Sequence, residues 1–261
     1  MPMIIYRYDG SFDGLLTAVF DMFVRKEEPD MLVASDCALP LFCDVLYDVC
    51  PDPEKASRVW KKMRGVLSRG AASAYMAASL SDNPDYPTHA MKFARRAVLS
   101  ESSIENDFSD PAVLAVVREA RRVKGEAHRL LQFIRFQKAC DGTYFAMIEP
   151  LFDVLPFAVN HFVDRFSDQP FIIYDRIRDY GYHYDIEDVR RIVLSSEGMH
   201  VRTGQLDSSI MDSDEMLFQS LWRGYVDAIA IKERSNPRKQ RADMPVRYWK
   251  YLTEMNNPLS E

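Results

Sequence analysis

The chain reads as an α+β protein, mostly helical, with a small antiparallel sheet from two hairpins packed against helices. Three observations carry that reading. Apolar residues recur at helical spacing in long segments opened by Ser, Asp or Pro. Between Phe133 and Leu194 the spacing changes, and β-branched and aromatic residues gather in short runs. Asp141-Gly142 sits between two such runs, a strong hairpin signal.

Taken in order, Ile4–Tyr8 is β-favouring and predicts a short strand. Asp9-Gly10 predicts a turn, after which Ser11 caps a helix with Phe12, Leu15, Leu16, Val19, Phe20 and Phe23 on one face. Asp52-Pro53 has the cap and first-position proline of a second helix, whose face is Ala56, Val59, Trp60, Met63 and Leu67. Gly70 is expected to break it, with another helix over residues 71–80. Asn83-Pro84 and Tyr86-Pro87 punctuate a linker. Helices are expected at about 88–99 and 112–131. Strands follow at 133–139 and 143–148, a helix at 154–166 and a strand at 171–174. Residues 179–185 alternate polar and aromatic types, either as a stacking platform or as cross-strand pairs of an edge hairpin. A further strand is expected near 191–194 and a loop over 197–209. A long helix capped by Asp212 or Ser213 should reach about Arg234, stopped by Asn236-Pro237, and a last short helix should cover 245–254.

Size and composition bound the rest. The chain has 261 residues, 47% hydrophobic and 28% charged, enough for one large domain or two modest ones. No apolar run reaches the roughly 18 residues of a membrane span. The start lacks the basic head and apolar stretch of a signal peptide, so a cytoplasmic location is expected. Cys37, Cys43 and Cys50 have spacings too wide for a zinc or iron–sulfur motif, and Cys140 lies far off. Buried free thiols and no metal are therefore expected. The histidines are scattered. No Gly-rich phosphate loop, dinucleotide fingerprint or nucleophile elbow occurs, so no cofactor is expected.

Charge carries the functional signal. Net charge is −6, yet residues 112–138 hold Arg118, Arg121, Arg122, Lys124, Arg129, Arg135 and Lys138 against Glu119 and Glu126. Residues 232–251 hold seven more cations against Glu233 and Asp243. Each run is +5 and the remainder −16, an acidic body with two basic stripes. In the second run, aromatic residues are interleaved with charge. Arg234, Arg238, Lys239, Arg241, Arg247 and Lys250 are candidate phosphate contacts, and Tyr248 and Trp249 candidate stacking rings. Tyr251 is a further ring, and one of these three is expected to anchor the last helix. Trp222 and Tyr225 lie on the apolar face of the preceding helix and are expected in the core. A weaker acid–base constellation is Asp141, His161 and Asp175, with Arg165 one helical turn from His161.

Several strings together resemble a bacterial family of DNA metabolism or repair proteins. They are Tyr8-Asp-Gly-Ser-Phe-Asp-Gly-Leu-Leu-Thr-Ala-Val-Phe20 and Asp141-Gly-Thr-Tyr-Phe-Ala-Met-Ile-Glu-Pro150. Arg135-Phe136, His161-Phe-Val-Asp-Arg-Phe166, Gln169-Pro-Phe-Ile-Ile-Tyr-Asp175, Ile231-Lys-Glu-Arg-Ser-Asn-Pro237 and Met244-Pro-Val-Arg-Tyr-Trp-Lys250 complete the set. That family carries a domain of unknown function, also found fused in front of some uracil-DNA glycosylases. Stand-alone members are encoded beside a radical S-adenosylmethionine protein of DNA repair. The resemblance implies three segments: residues 1–83, a strand with helices; 84–252, the family core with hairpins and basic C-terminal helices; and 253–261, a tail. Residues 1–83 and the core could also form one unit. It implies DNA and that radical enzyme as partners. The glycosylase's water-activating loop is absent, so that activity does not carry over. Three functions stay open: a DNA-binding accessory protein, placed first; an enzyme using the Asp141, His161 and Asp175 set; and an adaptor whose basic tail meets an acidic partner.

Overall fold

The computed structural model describes residues 2–194, 204 and 206–255 and places one sheet in each of two units, Met1–Gly125 and Glu126–Glu261. In the first unit, β1 (Ile4–Tyr8) lies between β2 (Met31–Ala34) and β3 (Val45–Asp48), all parallel. Tyr6 stands opposite Leu32 on one side and Tyr47 on the other. The sequence reading contains β1 but neither neighbour. Each missed strand is four residues long, and β3 is half exposed, so neither carries a periodic signal of its own. Both are defined by pairing with β1 across long stretches of chain.

Helix α1 (Phe12–Arg25) begins where expected, with Ser11 Oγ accepting from the Gly14 amide at 2.9 Å. Asp52 caps α2 (Pro53–Val66) by accepting from the Glu54 and Lys55 amides. Ser68 then caps α3 (Arg69–Ala78), so Gly70 lies in the first turn of a new helix and does not end the old one. Next come α4 (Tyr86–Leu99) and α5 (Pro111–Phe133), which crosses the unit boundary at residue 125. Apolar stripes of α1, α2 and α4 form the first core around Leu16, Val19, Met63 and Met91. The buried Tyr75 ring stacks between Trp60 and Phe93, at 6.2 and 5.4 Å. The expected burial of the thiols needs correction. Cys43, Cys50 and Cys140 are exposed and Cys37 partly so, because all four sit in connections between elements, outside the apolar stripes of the helices.

The second unit contains β4 (Gln137–Lys138), β5 (Tyr144–Ile148), α6 (Leu155–Arg165), β6 (Phe171–Asp175), β7 (Tyr180–Tyr184) and β8 (Val189–Ile192), with strands in that sheet order. The Asp141-Gly142 turn joins β4 to β5 as predicted. Gly142 has φ +88°, a conformation L side chains resist, and its amide bonds Ala139 O at 2.9 Å. A second hairpin joins β6 to β7. Gly181 is needed there, since a Cβ would lie 2.4 Å from the Ile173 carbonyl oxygen.

Between the two hairpins the sheet is parallel, which corrects the all-antiparallel expectation. Helix α6 carries the chain back along the sheet, so β6 starts beside the start of β5, with Tyr144 opposite Phe171. Tyr180 and Tyr184 are buried, and Tyr184 Oη donates to a main-chain carbonyl at 2.8 Å. Tyr182 is partly buried as well, so residues 179–185 offer no row of exposed rings for a stacking platform.

The chain ends in α7 (Glu215–Ile229), a 3₁₀ turn at Lys232–Arg234, α8 (Pro237–Asp243) and a second 3₁₀ turn at Val246–Tyr251. The long helix therefore stops five residues early. Asn236 does not merely end it but caps α8, accepting from the Lys239 amide at 3.0 Å. The expected 197–209 loop lies mainly outside the described residues, as do His200 and residues 256–261. Among the described residues no helix is long and apolar enough to cross a membrane.

Candidate nucleic-acid interface

Helix α7 is turned inside out. Its buried positions are the polar Glu215 and Gln219, while Met216, Leu217, Phe218, Leu221, Tyr225 and Ile229 are exposed. The cause is polar attachment. Glu215 Oε2 accepts from the Lys138 amide of β4 at 3.1 Å, and Glu215 Oε1 accepts from Gln219 Nε2 at 2.9 Å. Lys138 also pairs with Asp212 at 3.1 Å, just before the helix. With that face committed to the sheet edge, the apolar stripe points to solvent. Phe218 is 62%, Trp222 38% and Tyr225 54% exposed, contrary to the core role expected for Trp222 and Tyr225.

Trp222 is held in place. Its Nε1 donates to Glu254 at 3.0 Å, and the Arg135 guanidinium lies 5.5 Å from its ring centre. Arg135 donates twice to the same carboxylate, at 2.6 and 3.2 Å, and twice to the carbonyls of Gln132 and Ile134. Burial pushes the Glu254 carboxyl up, but the hydrogen bonds, Arg135 foremost, outweigh it and leave it below the usual 4.5. A depressed carboxyl contributes stability above its unfolded value and loses it as pH falls through the lower folded value. The melting temperature should therefore decline below pH about 4.5, less steeply in a Glu254→Gln variant, as a pH series of thermal melts would read.

The predicted phosphate and stacking residues fall into two groups. Arg234, Arg238, Lys239 and Arg241 are exposed on the 3₁₀ turn and α8. Among the described residues, Lys239 pairs with Asp243 alone, a solvent-exposed contact, and the three arginines have no carboxylate partner. The second group serves the fold. Arg247 pairs with Glu126, which is buried, and Lys250 with Glu149. Tyr248 is 6% exposed and packs on Phe133 at 5.6 Å, so this ring is the expected anchor. Trp249 is half-buried and donates to Met244 O at 3.0 Å. In the second unit, Arg129, Arg135 and Lys138 of the earlier basic run are likewise each bound to a carboxylate and add little free charge to the tail.

The acid–base candidates are dispersed. Asp141 is exposed and accepts from the Thr143 amide at 2.9 Å, ordinary turn chemistry. His161 is exposed on α6, edge-on to Phe162. Asp175 is fully buried, accepting from the Ile177 amide at 2.9 Å and from Arg178 Nη1 at 3.0 Å. Burial raises its carboxyl above the usual range despite Arg178. Asp141 precedes the start of β5, whereas Asp175 closes the opposite end of β6, about 13 Å away along the strands. Among the described residues no group of three or more His, Cys, Asp and Glu side chains is placed to hold a metal.

An α+β protein with an outward apolar helix followed by arginines that have no carboxylate partner among the described residues is the class that fold and site define. Residues 84–254 match the family DUF4130, a domain of unknown function, and the chain belongs to that family. Comparison with curated proteins and with solved structures finds no match.

Proposed function

We propose that this protein is a non-catalytic nucleic-acid-binding accessory protein. By the family resemblance it would act on DNA beside a repair or modification enzyme, of radical S-adenosylmethionine or glycosylase type. The observation that carries the reading is one continuous exposed segment. It presents Phe218, Trp222 and Tyr225 on α7 and then Arg234, Arg238 and Arg241 without carboxylate partners among the described residues. Rings give sequence-tolerant stacking surface, and free guanidiniums meet phosphates. The dispersal of Asp141, His161 and Asp175 favours binding over catalysis.

Changing Arg234, Arg238 and Arg241 together to alanine should weaken DNA binding without changing the melting temperature. Each lost phosphate contact should flatten the plot of log affinity against log salt by about 0.7–0.9. The measurement is a titration of single- and double-stranded DNA at four salt concentrations. An unchanged slope would remove this reading. Arg247 stays out of the variant, since its loss would expose a defect in folding rather than in binding.

A second reading has its own observation. Met216, Leu217, Leu221, Ile229 and Ile231 are exposed aliphatic residues, for which stacking has no use. They suit an adaptor whose partner offers an apolar groove with an acidic rim, complementary to the arginines that follow. Competition by DNA separates the two readings: an adaptor keeps its protein partner in the presence of excess oligonucleotide.

A further inference from the structure

We infer that a second, smaller cleft in the same unit accepts a single unstacked nucleobase. It lies where β5 and β6 begin, at the end of α6, and beside the link from α5 to β4. Its volume is about 250 Å³, and Phe136, Phe166 and Phe171 form its walls with Tyr144, Gln169 and Arg135. Pockets for drug-sized molecules measure roughly 300–1,000 Å³, so this one suits one ring system and not a whole nucleotide.

The walls are aromatic. Phe136 meets Phe166 at 5.3 Å and Phe171 at 5.8 Å, both edge-to-face, and packs on Phe162 behind them. Two polar groups remain uncommitted. The Gln169 carboxamide and the Tyr144 hydroxyl make no side-chain hydrogen bond with any described residue, while the Gln169 amide N–H already bonds Phe166 O. A carboxamide offers a donor and an acceptor side by side, which matches the edge of a base.

Charge argues against a phosphate here. Arg135 is the cation at the cleft, and Glu254 neutralises it at 2.6 Å. A purely apolar occupant, such as an aromatic side chain of a protein partner, would use the phenyl walls but leave Gln169 and Tyr144 unused. A base uses all of them.

The position fits the reading proposed above, on which this inference rests. A neighbouring cleft of about 460 Å³ shares Arg135 and Phe136 and reaches Phe218 and Trp222 of α7. A strand lying along those rings therefore passes the mouth of the smaller cleft. Taking a base out of a stack costs least where it is mismatched, damaged or single-stranded. The substrate class is then a nucleic acid with one unpaired or weakly paired base.

The test has two arms, both on the full chain. In the first, a duplex carrying one bulged 2-aminopurine is compared with its fully paired counterpart. Wild type should bind the bulged duplex about tenfold more tightly, as one base stacked on aromatic rings provides. Gln169→Ala and Tyr144→Phe should each lower that preference by about fivefold and leave affinity for the paired duplex unchanged. In the second arm, free deoxynucleosides are examined by saturation-transfer NMR, with N-acetyl-phenylalanine amide as the competing probe.

The arms fail separately. Nucleoside signals that Gln169→Ala abolishes, in a protein that binds no DNA, would uphold the base cleft and sink the accessory reading. Equal affinity for the two duplexes with no nucleoside signal would overturn the cleft and leave the accessory reading standing. Binding of the phenylalanine amide in place of nucleosides, unaffected by Gln169→Ala, would overturn the cleft as a base site and assign it to a protein side chain. Absence of both DNA binding and nucleoside signals would remove both.

Discussion

Replacing Glu126 by alanine should destabilise the second unit by about 3–5 kcal/mol, the usual cost of breaking a buried ion pair from one side. The Glu126 side chain is 1% exposed. It pairs with Arg247, accepts from the Leu151 amide at 2.9 Å and lies 3.6 Å from Arg129. Arg129 is more than a third exposed, so solvent screens that contact and it contributes little. The cost comes instead from Arg247, which loses its carboxylate, and from the partly buried Leu151 N–H, which loses its acceptor. Glu126→Gln keeps an acceptor for Leu151 but no charge, and should fall between wild type and alanine. Glu126→Leu with Arg247→Met removes both charges and should recover much of the loss. Urea denaturation of the four proteins measures this. An alanine variant within about 0.5 kcal/mol of wild type would mean the pair is not a clamp.

That clamp explains why the tail's charge pattern was ambiguous as sequence. Arg247 and Lys250 look like Arg238 and Lys239 when only residue types and spacing are read. Their difference lies in Glu126 and Glu149, each about a hundred positions away in the chain or more. No local pattern pairs them. The same holds for Arg135 with Glu254 and for Lys138 with Asp212. Two of the six expected phosphate contacts, Arg247 and Lys250, are thus internal cross-links, whereas Arg234, Arg238 and Arg241 have no carboxylate partner among the described residues.

Local signals were legible where local chemistry decides. Ser11 and Asp52 cap their helices, Asp141-Gly142 makes its turn, and the α+β class follows from the change of spacing after Phe133. Pairings between distant segments were not. Strands β2 and β3 are too short to announce themselves. The parallel contact of β5 with β6 depends on α6 acting as a crossover, although strand, helix and strand were each visible. Helix α7 gives the sharpest case. Its stripe of Leu217, Leu221, Trp222, Tyr225 and Ile229 is present in the sequence at helical spacing. Periodicity says that these residues share a face and nothing about which way it looks. The direction is set by Glu215, which accepts from the Lys138 amide of β4 and from Gln219 beside it, so the polar face is the inner one.

The two kinds of ring should therefore come apart under mutation. Tyr248→Ala removes a side chain enclosed by the Phe133 ring and the Arg247 guanidinium, at 5.6 and 4.8 Å. Truncating an enclosed aromatic residue costs about 3–5 kcal/mol, so this variant should melt well below wild type. Any loss of DNA binding in it would follow from unfolding and would vanish at low temperature. Tyr225 is more than half exposed and touches Trp222 at 5.7 Å. Its replacement by alanine should change stability by no more than about 0.5 kcal/mol. If the ring stacks on a base, affinity should fall by about 1–3 kcal/mol, with the salt slope unchanged because no charge is lost. The arginine variant should do the reverse, flattening the slope. Paired melting curves and salt-series titrations on Tyr225→Ala, Tyr248→Ala and wild type decide the matter. Should Tyr225→Ala bind DNA as tightly as wild type, the exposed face of α7 is not a stacking surface, and its aromatic and aliphatic residues together belong to the contact with a protein partner.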